Sequence, residues 1–256
     1  MIFPNPILSL INSASQWAWQ QVADNSTTIL RRYVMHPLGW PPVLTSFYHL
    51  SQALAASLAL AVLLVALLRL MWPNLSITGV SGTIRGLLER LVTGALVAVA
   101  GPWMVHVMLE INNALVGQLT SSLAVAGLRS PQGLLSPLVV GMVALALFAL
   151  MIYLAVFYAA RAVEIYLLTA MIPWVLLWWA TQGDEVVLGR FFKELVVVIF
   201  VQSVHAATLW LIYRIAGAFS WEGVFLELAL FWWMTRVPAE IRYLVGASSG
   251  VNRLWR

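Results

Sequence analysis

Gln202 and His205 stand three residues apart in the middle of FFKELVVVIFVQSVHAATLWLIY (Phe191–Tyr213), an apolar run long enough to cross a bilayer. Polar groups at the centre of such a run are expensive. A charged one costs about 2.5 to 3.5 kcal/mol on insertion scales, so such groups turn away from lipid and tend to mark functional positions. Gln202 and His205 share one helix face, which leaves two readings: hydrogen bonds that lock a helix bundle, or the lining of an aqueous path or proton relay. The same alternatives apply to Glu110, Asn112 and Asn113 near the end of another apolar stretch. Arg161 and Glu164, three apart in a third, can pair on one helix face, and Glu227 lies in the last apolar segment. The conduit or bundle-polar candidates are therefore Glu110, Asn113, Arg161, Glu164, Gln202, His205 and Glu227.

Enzyme chemistry finds no foothold in these residues. The four histidines, His36, His49, His106 and His205, are never three or four apart. Neither HExxH nor GxSxG occurs, no glycine loop is built to cradle phosphate, and no carboxylate pair has acid–base spacing. Cysteine is absent, which removes thiolate nucleophiles and disulfides. The expectation is a non-enzymatic protein with no cofactor and no metal, whose energy comes from a partner or a gradient.

What must position the polar candidates is lipid-embedded helix. Of 256 residues, 62% are hydrophobic and only 9% charged, against about 25% charged in a soluble domain. Thirteen Trp and eleven Pro suit interfacial belts and broken helices. Residues 1–43 form an interfacial segment: Ile7, Leu10, Ile11, Ala14, Trp17, Ala18 and Val22 recur at helical spacing. They describe an amphipathic helix lying on the lipid surface or packed on the body of its own protein. Pro37, Gly39, Pro41 and Pro42 then break the chain.

Residues 44–238 are read as the transmembrane domain. Passes are expected at Leu50–Leu68, Leu91–Leu115, within Leu138–Ala180, at Phe191–Tyr213 and at Trp221–Val237. Pro73–Gly86, Gly117–Pro137 and Gly183–Lys193 are read as loops, and Pro238 as the final stop. Gly101-Pro102 interrupts the second pass and frees backbone carbonyls that a neighbouring helix must satisfy. Leu138–Ala180 is about 60 Å as helix, twice a hydrocarbon core of about 30 Å. It either turns near Arg161 and crosses twice or forms one long helix; no Gly or Pro lies between Gly141 and Pro173 to mark a turn.

The fold expected is thus all-α, a polytopic transmembrane helical bundle with five or six membrane passes and an N-terminal amphipathic surface helix. A short basic tail, 239–256, follows. Arginine and lysine counts by side are nine against four for one crossing by the long stretch, and nine against five for two. Both place the tail in the cytoplasm, with the N-terminus outside for one crossing and inside for two.

Three stretches carry a resemblance. They are RLVTGALVAVAGPWMVHVMLEINNALVG (Arg90–Gly117), RAVEIYLLTAMIPWVLLWW (Arg161–Trp179) and RFFKELVVVIFVQSVHAATLWL (Arg190–Leu211). Asn113-Ala114, Pro173 and the Val201-Gln202-Ser203-Val204-His205-Ala206 core, in that order, resemble the TrbL-type family, polytopic inner-membrane subunits of conjugative type IV secretion systems. Pro238 followed by a basic tail also fits.

The resemblance spans roughly residues 50–245. It implies an oligomeric channel or platform in the cytoplasmic membrane, assembled with secretion ATPases and other membrane subunits of the transfer machine. DNA or pilus subunits would be the cargo, with direct nucleic-acid binding not indicated by the residues themselves: the tail arginines serve equally as a topology anchor or contact anionic lipid. The alternative from another class is a secondary transporter or ion channel for a small solute. The segments around Pro102 and Pro173 match only at Pro-Trp, too little for an internal repeat.

Overall fold

The structure is a computed structural model and describes residues 6–71, 84–121, 136–215 and 221–246. They form six α-helices: α1 (Pro6–Ile29), α2 (Pro42–Met71), α3 (Ile84–Ser121), α4 (Pro137–Gln182), α5 (Glu185–Ile215) and α6 (Trp221–Leu244). A π-helical turn, Leu30–Val34, continues α1. No strand occurs among the described residues. The segments 72–83, 122–135 and 247–256, with most of two expected loops and the basic tail, lie outside them. Among the described residues four helices, α2 to α5, are long and apolar enough to cross a membrane, which makes this a membrane-embedded helical protein.

Several expected boundaries are corrected. Of the two alternatives for the long apolar stretch, the structure has the single helix: α4 runs unbroken for 46 residues, about 69 Å, with no turn at Arg161. Its interior is aliphatic and aromatic sequence with nothing to end a helix until Pro173. The expected polar loop Gly183–Lys193 is reduced to Gly183 and Asp184. Gly183 takes a positive φ of 74° and its N–H donates to the Trp179 carbonyl at 2.7 Å, closing α4. Asp184 Oδ1 accepts from the N–H groups of Val186 and Val187 at 3.0 and 3.2 Å, opening α5. α3 runs on to Ser121, beyond the expected loop start at Gly117. α2 begins at Pro42, which sits in the first turn where a missing N–H costs nothing. α6 passes through Pro238 to Leu244 instead of stopping there.

The chain divides into two compact units, to which α3, α4, α5 and α6 each supply a stretch. In the first (residues 6–37, 112–121, 136–161, 200–215 and 221–240) Leu147, Met151, Leu154, Leu209, Phe231 and Met234 form the core. Trp19 of α1 and Val34 of the π-turn are part of it, and Ser15 is buried with them. That face of α1 therefore packs on its own protein, while Ile7, Leu10 and Trp17 are exposed.

The second unit (residues 38–71, 84–111, 162–199 and 241–246) solves the problem posed by Pro102. A proline has no N–H for the carbonyl four residues earlier, here Ala98. The Tyr48 hydroxyl of α2 donates to that carbonyl, as a proline inside a membrane helix requires. Ser51, one turn further on α2, donates likewise to the Ala170 carbonyl beside Pro173. Gly101 makes the first contact possible, since a β-carbon there would stand 2.8 Å from the Tyr48 hydroxyl. At the end of α6 in the same unit, Arg242 bridges Glu164 of α4 at 2.9 Å and Glu194 of α5.

Outward faces are apolar along the candidate spans. Leu60, Val99, Leu145 and Val156 are all more than half exposed. α5 is the most enclosed span, 61% of its apolar window being buried against 17% for α2. Gln202 and His205 lie on this most enclosed helix.

Candidate functional site

The site belongs to the first unit and centres on Gln202. Carboxamides offer two acceptor lone pairs and two N–H donors, and Gln202 uses all four. Its Oε1 accepts from Asn112 Nδ2 of α3 at 2.9 Å and from Arg161 Nη1 of α4 at 3.1 Å. Its Nε2 donates to the carbonyl of Val34 at 2.7 Å and to that of His36 at 3.0 Å. One side chain thereby joins α3, α4, α5 and the segment following α1. The helical spacing of α5 puts Ser203 beside it, donating to Asn112 Oδ1 at 2.8 Å. Gln202 and Asn112 are wholly buried and Arg161 is 3% exposed.

His205, one turn along α5, is also wholly buried. Its Nδ1 lies 2.9 Å from the Tyr158 hydroxyl of α4, and the Arg161 guanidinium stands over the Tyr158 ring at 5.6 Å. With Tyr158 donating, the imidazole carries its hydrogen on Nε2. That nitrogen is buried with no partner at hydrogen-bonding geometry. The ring also lies near the backbone of Met234, four residues before Pro238. The Met234 carbonyl is the one that proline deprives of a helical donor.

The arrangement can hold a buried cation, Arg161, against the Gln202 carboxamide and an aromatic face. It can also fix the mutual register of four chain segments. Buried polar networks of this kind reward complete satisfaction and penalise every missing partner.

Of the residues expected from the sequence, the structure brings Arg161, Gln202 and His205 together. It selects Asn112 rather than its neighbour Asn113, whose Oδ1 is buried without a partner. Glu110 belongs to the second unit, exposed and 3.2 Å from His106 on its own helix. Glu164 also belongs there, accepting from Arg242, while Arg161 donates to Gln202. Glu227 stands on α6, outside the residues whose side chains are described. Sequence reasoning missed Tyr158 and Ser203, although Tyr158 is three residues from Arg161 and Ser203 adjoins Gln202. It also missed the carbonyls of Val34 and His36, which no residue type announces.

No protein-family model, curated protein or solved structure matches the chain.

Proposed function

We propose that this protein is a non-enzymatic channel or platform subunit of a type IV secretion-like machine for DNA transfer or pilus assembly. The observation that carries the reading is the coincidence of motif and keystone. Gln202 and His205, which supply the V-Q-x-x-H-A resemblance to TrbL-type proteins, are the residues around which the first unit's buried polar network is built. A network closed on all four positions of one carboxamide suits a fixed scaffold better than a binding site that opens and reloads. The apolar outer faces suit lipid and further copies of the chain, and any conduit would then form between copies.

In this reading α2 to α6 make five crossings, with α4 as one. Arginine and lysine counts put the tail in the cytoplasm and the N-terminus outside the inner membrane. α1 rests at the lipid interface with Trp17 outward. Secretion ATPases and other membrane subunits of the machine are the partners.

A small-solute transporter is the competing reading, favoured by the buried Arg161 and by the unsatisfied Nε2 of His205. His205→Ala separates the two. For a platform subunit, solubilised membranes yield several copies migrating with the secretion ATPase, and the variant changes DNA transfer only in step with that assembly. Selective loss of solute uptake into proteoliposomes, with assembly intact, would contradict the proposal.

A further inference from the structure

We propose that the second unit carries a binding site for one anionic phospholipid, its acyl chain in a groove between α2, α3 and α4 and its phosphate on Arg90. The groove is open on one side and lined mainly by small side chains, among them Ala55, Ala59, Gly94, Ala98 and Ala180. Facing helices with so little side-chain volume leave an open slot. Gly94 contributes by omission, since a β-carbon there would reach van der Waals distance of Leu176 at 3.7 Å.

One end of the groove is formed by Ala59, Leu91 and Ala180, the other by Gln52, Val99 and Pro173. From Leu91 to Val99 is about 12 Å of helix, against about 15 Å for half of the hydrocarbon core. The slot thus runs through most of the depth of one leaflet.

The second observation is the cation at the near end. Arg90 precedes Leu91 on α3, and its guanidinium lies against Gly183, one turn beyond Ala180 on α4. A β-carbon at Gly183 would stand 2.5 Å from Nη1. That nitrogen is buried and makes no hydrogen bond. Arg85, the other arginine at this end of α3, is already paired with Glu89.

Gly183 and Asp184 are the connection between α4 and α5, and lipid-exposed turns do not occur at hydrocarbon depth. The Arg90 guanidinium therefore stands at headgroup level, next to the Leu91 and Ala180 end of the slot. A phosphate joined to an acyl chain matches both halves of that arrangement. Anionic headgroups add about 1 kcal/mol of attraction per basic residue near the surface.

The test is retention of lipid by the full-length protein in detergent, read by native mass spectrometry. Phosphatidylglycerol and phosphatidylcholine with identical acyl chains are compared, and glycerol phosphate serves as the competitor. The expected result is one retained lipid, with phosphatidylglycerol preferred about fivefold. Arg90→Gln abolishes the preference and Arg90→Lys keeps it. Ala95→Phe, at an exposed lining position, blocks retention of both lipids, and glycerol phosphate displaces neither. Equal retention of the two lipids by the unaltered chain would overturn the site, as would a preference that survives Arg90→Gln. Undiminished retention by Ala95→Phe would overturn it even if the Arg90 variants fail to fold. Displacement by glycerol phosphate would reassign the site to free phosphate and overturn the lipid.

Discussion

Gln202→Leu is expected to destabilise the protein in detergent by about 3 to 5 kcal/mol. Leucine nearly fills the space, so the loss is electrostatic rather than steric. The Asn112 and Arg161 donors and the carbonyls of Val34 and His36 all lose a partner at once. Each buried polar group left unsatisfied costs about 1 to 3 kcal/mol, more where it is charged, with some recovered by relaxation. Gln202→Glu provides the contrast. A carboxylate improves the interaction with Arg161 but removes both donors to the carbonyls, so it should recover only part of the loss. Thermal unfolding of the three proteins in one detergent checks the order: unaltered, then Gln202→Glu, then Gln202→Leu.

Tyr48→Phe is expected to cost about 1 to 3 kcal/mol, with a physical origin that a second substitution exposes. The phenylalanine keeps the ring in place and removes only the hydroxyl that serves the Ala98 carbonyl. That carbonyl then has neither a helical donor, because of Pro102, nor a side-chain one. In Pro102→Ala the restored N–H can take the Ala98 carbonyl, so Tyr48→Phe should cost much less in that background. Equal costs in both backgrounds would show that the hydroxyl does not compensate the proline. The double-mutant cycle isolates the coupling because the two residues are linked through one acceptor.

Much of this was visible in the sequence. The apolar runs, the special standing of Gln202 and His205 and the need of Pro102 for an outside donor all follow from the bilayer's intolerance of unsatisfied polar groups. So does the absence of any turn signal between Gly141 and Pro173, and α4 is indeed unbroken there. What the sequence hid was phase and partner. Asn112 and Asn113 are neighbours about 100° apart on a helix, and only packing decides which one faces Gln202. Tyr48 and Ala98 are fifty positions apart, so no local pattern joins them.

Pro238 misled for a related reason. A proline reads as a helix end when its environment is unknown, yet α6 continues through it with His205 lying beside the Met234 backbone. Gly183–Lys193 misled through composition, since Glu185, Arg190 and Lys193 lie on the first turns of α5 and only Asp184 stands in the connection.

The central claim is that hydrophilic side chains face protein while the outer helix faces meet lipid. The absence of cysteine allows it to be measured without removing any native thiol. Single cysteines bearing nitroxide labels would be placed at Ala206 and Leu209, both wholly buried, and at Leu60, Leu145 and Val156, all strongly exposed. Collisions with oxygen, which concentrates in lipid, and with a water-soluble nickel chelate are then compared in a bilayer. The account predicts little access of either reagent at Ala206 and Leu209, and oxygen without nickel at the three outer positions. Nickel access at Leu60, Leu145 and Val156, or oxygen access at Ala206, would contradict it.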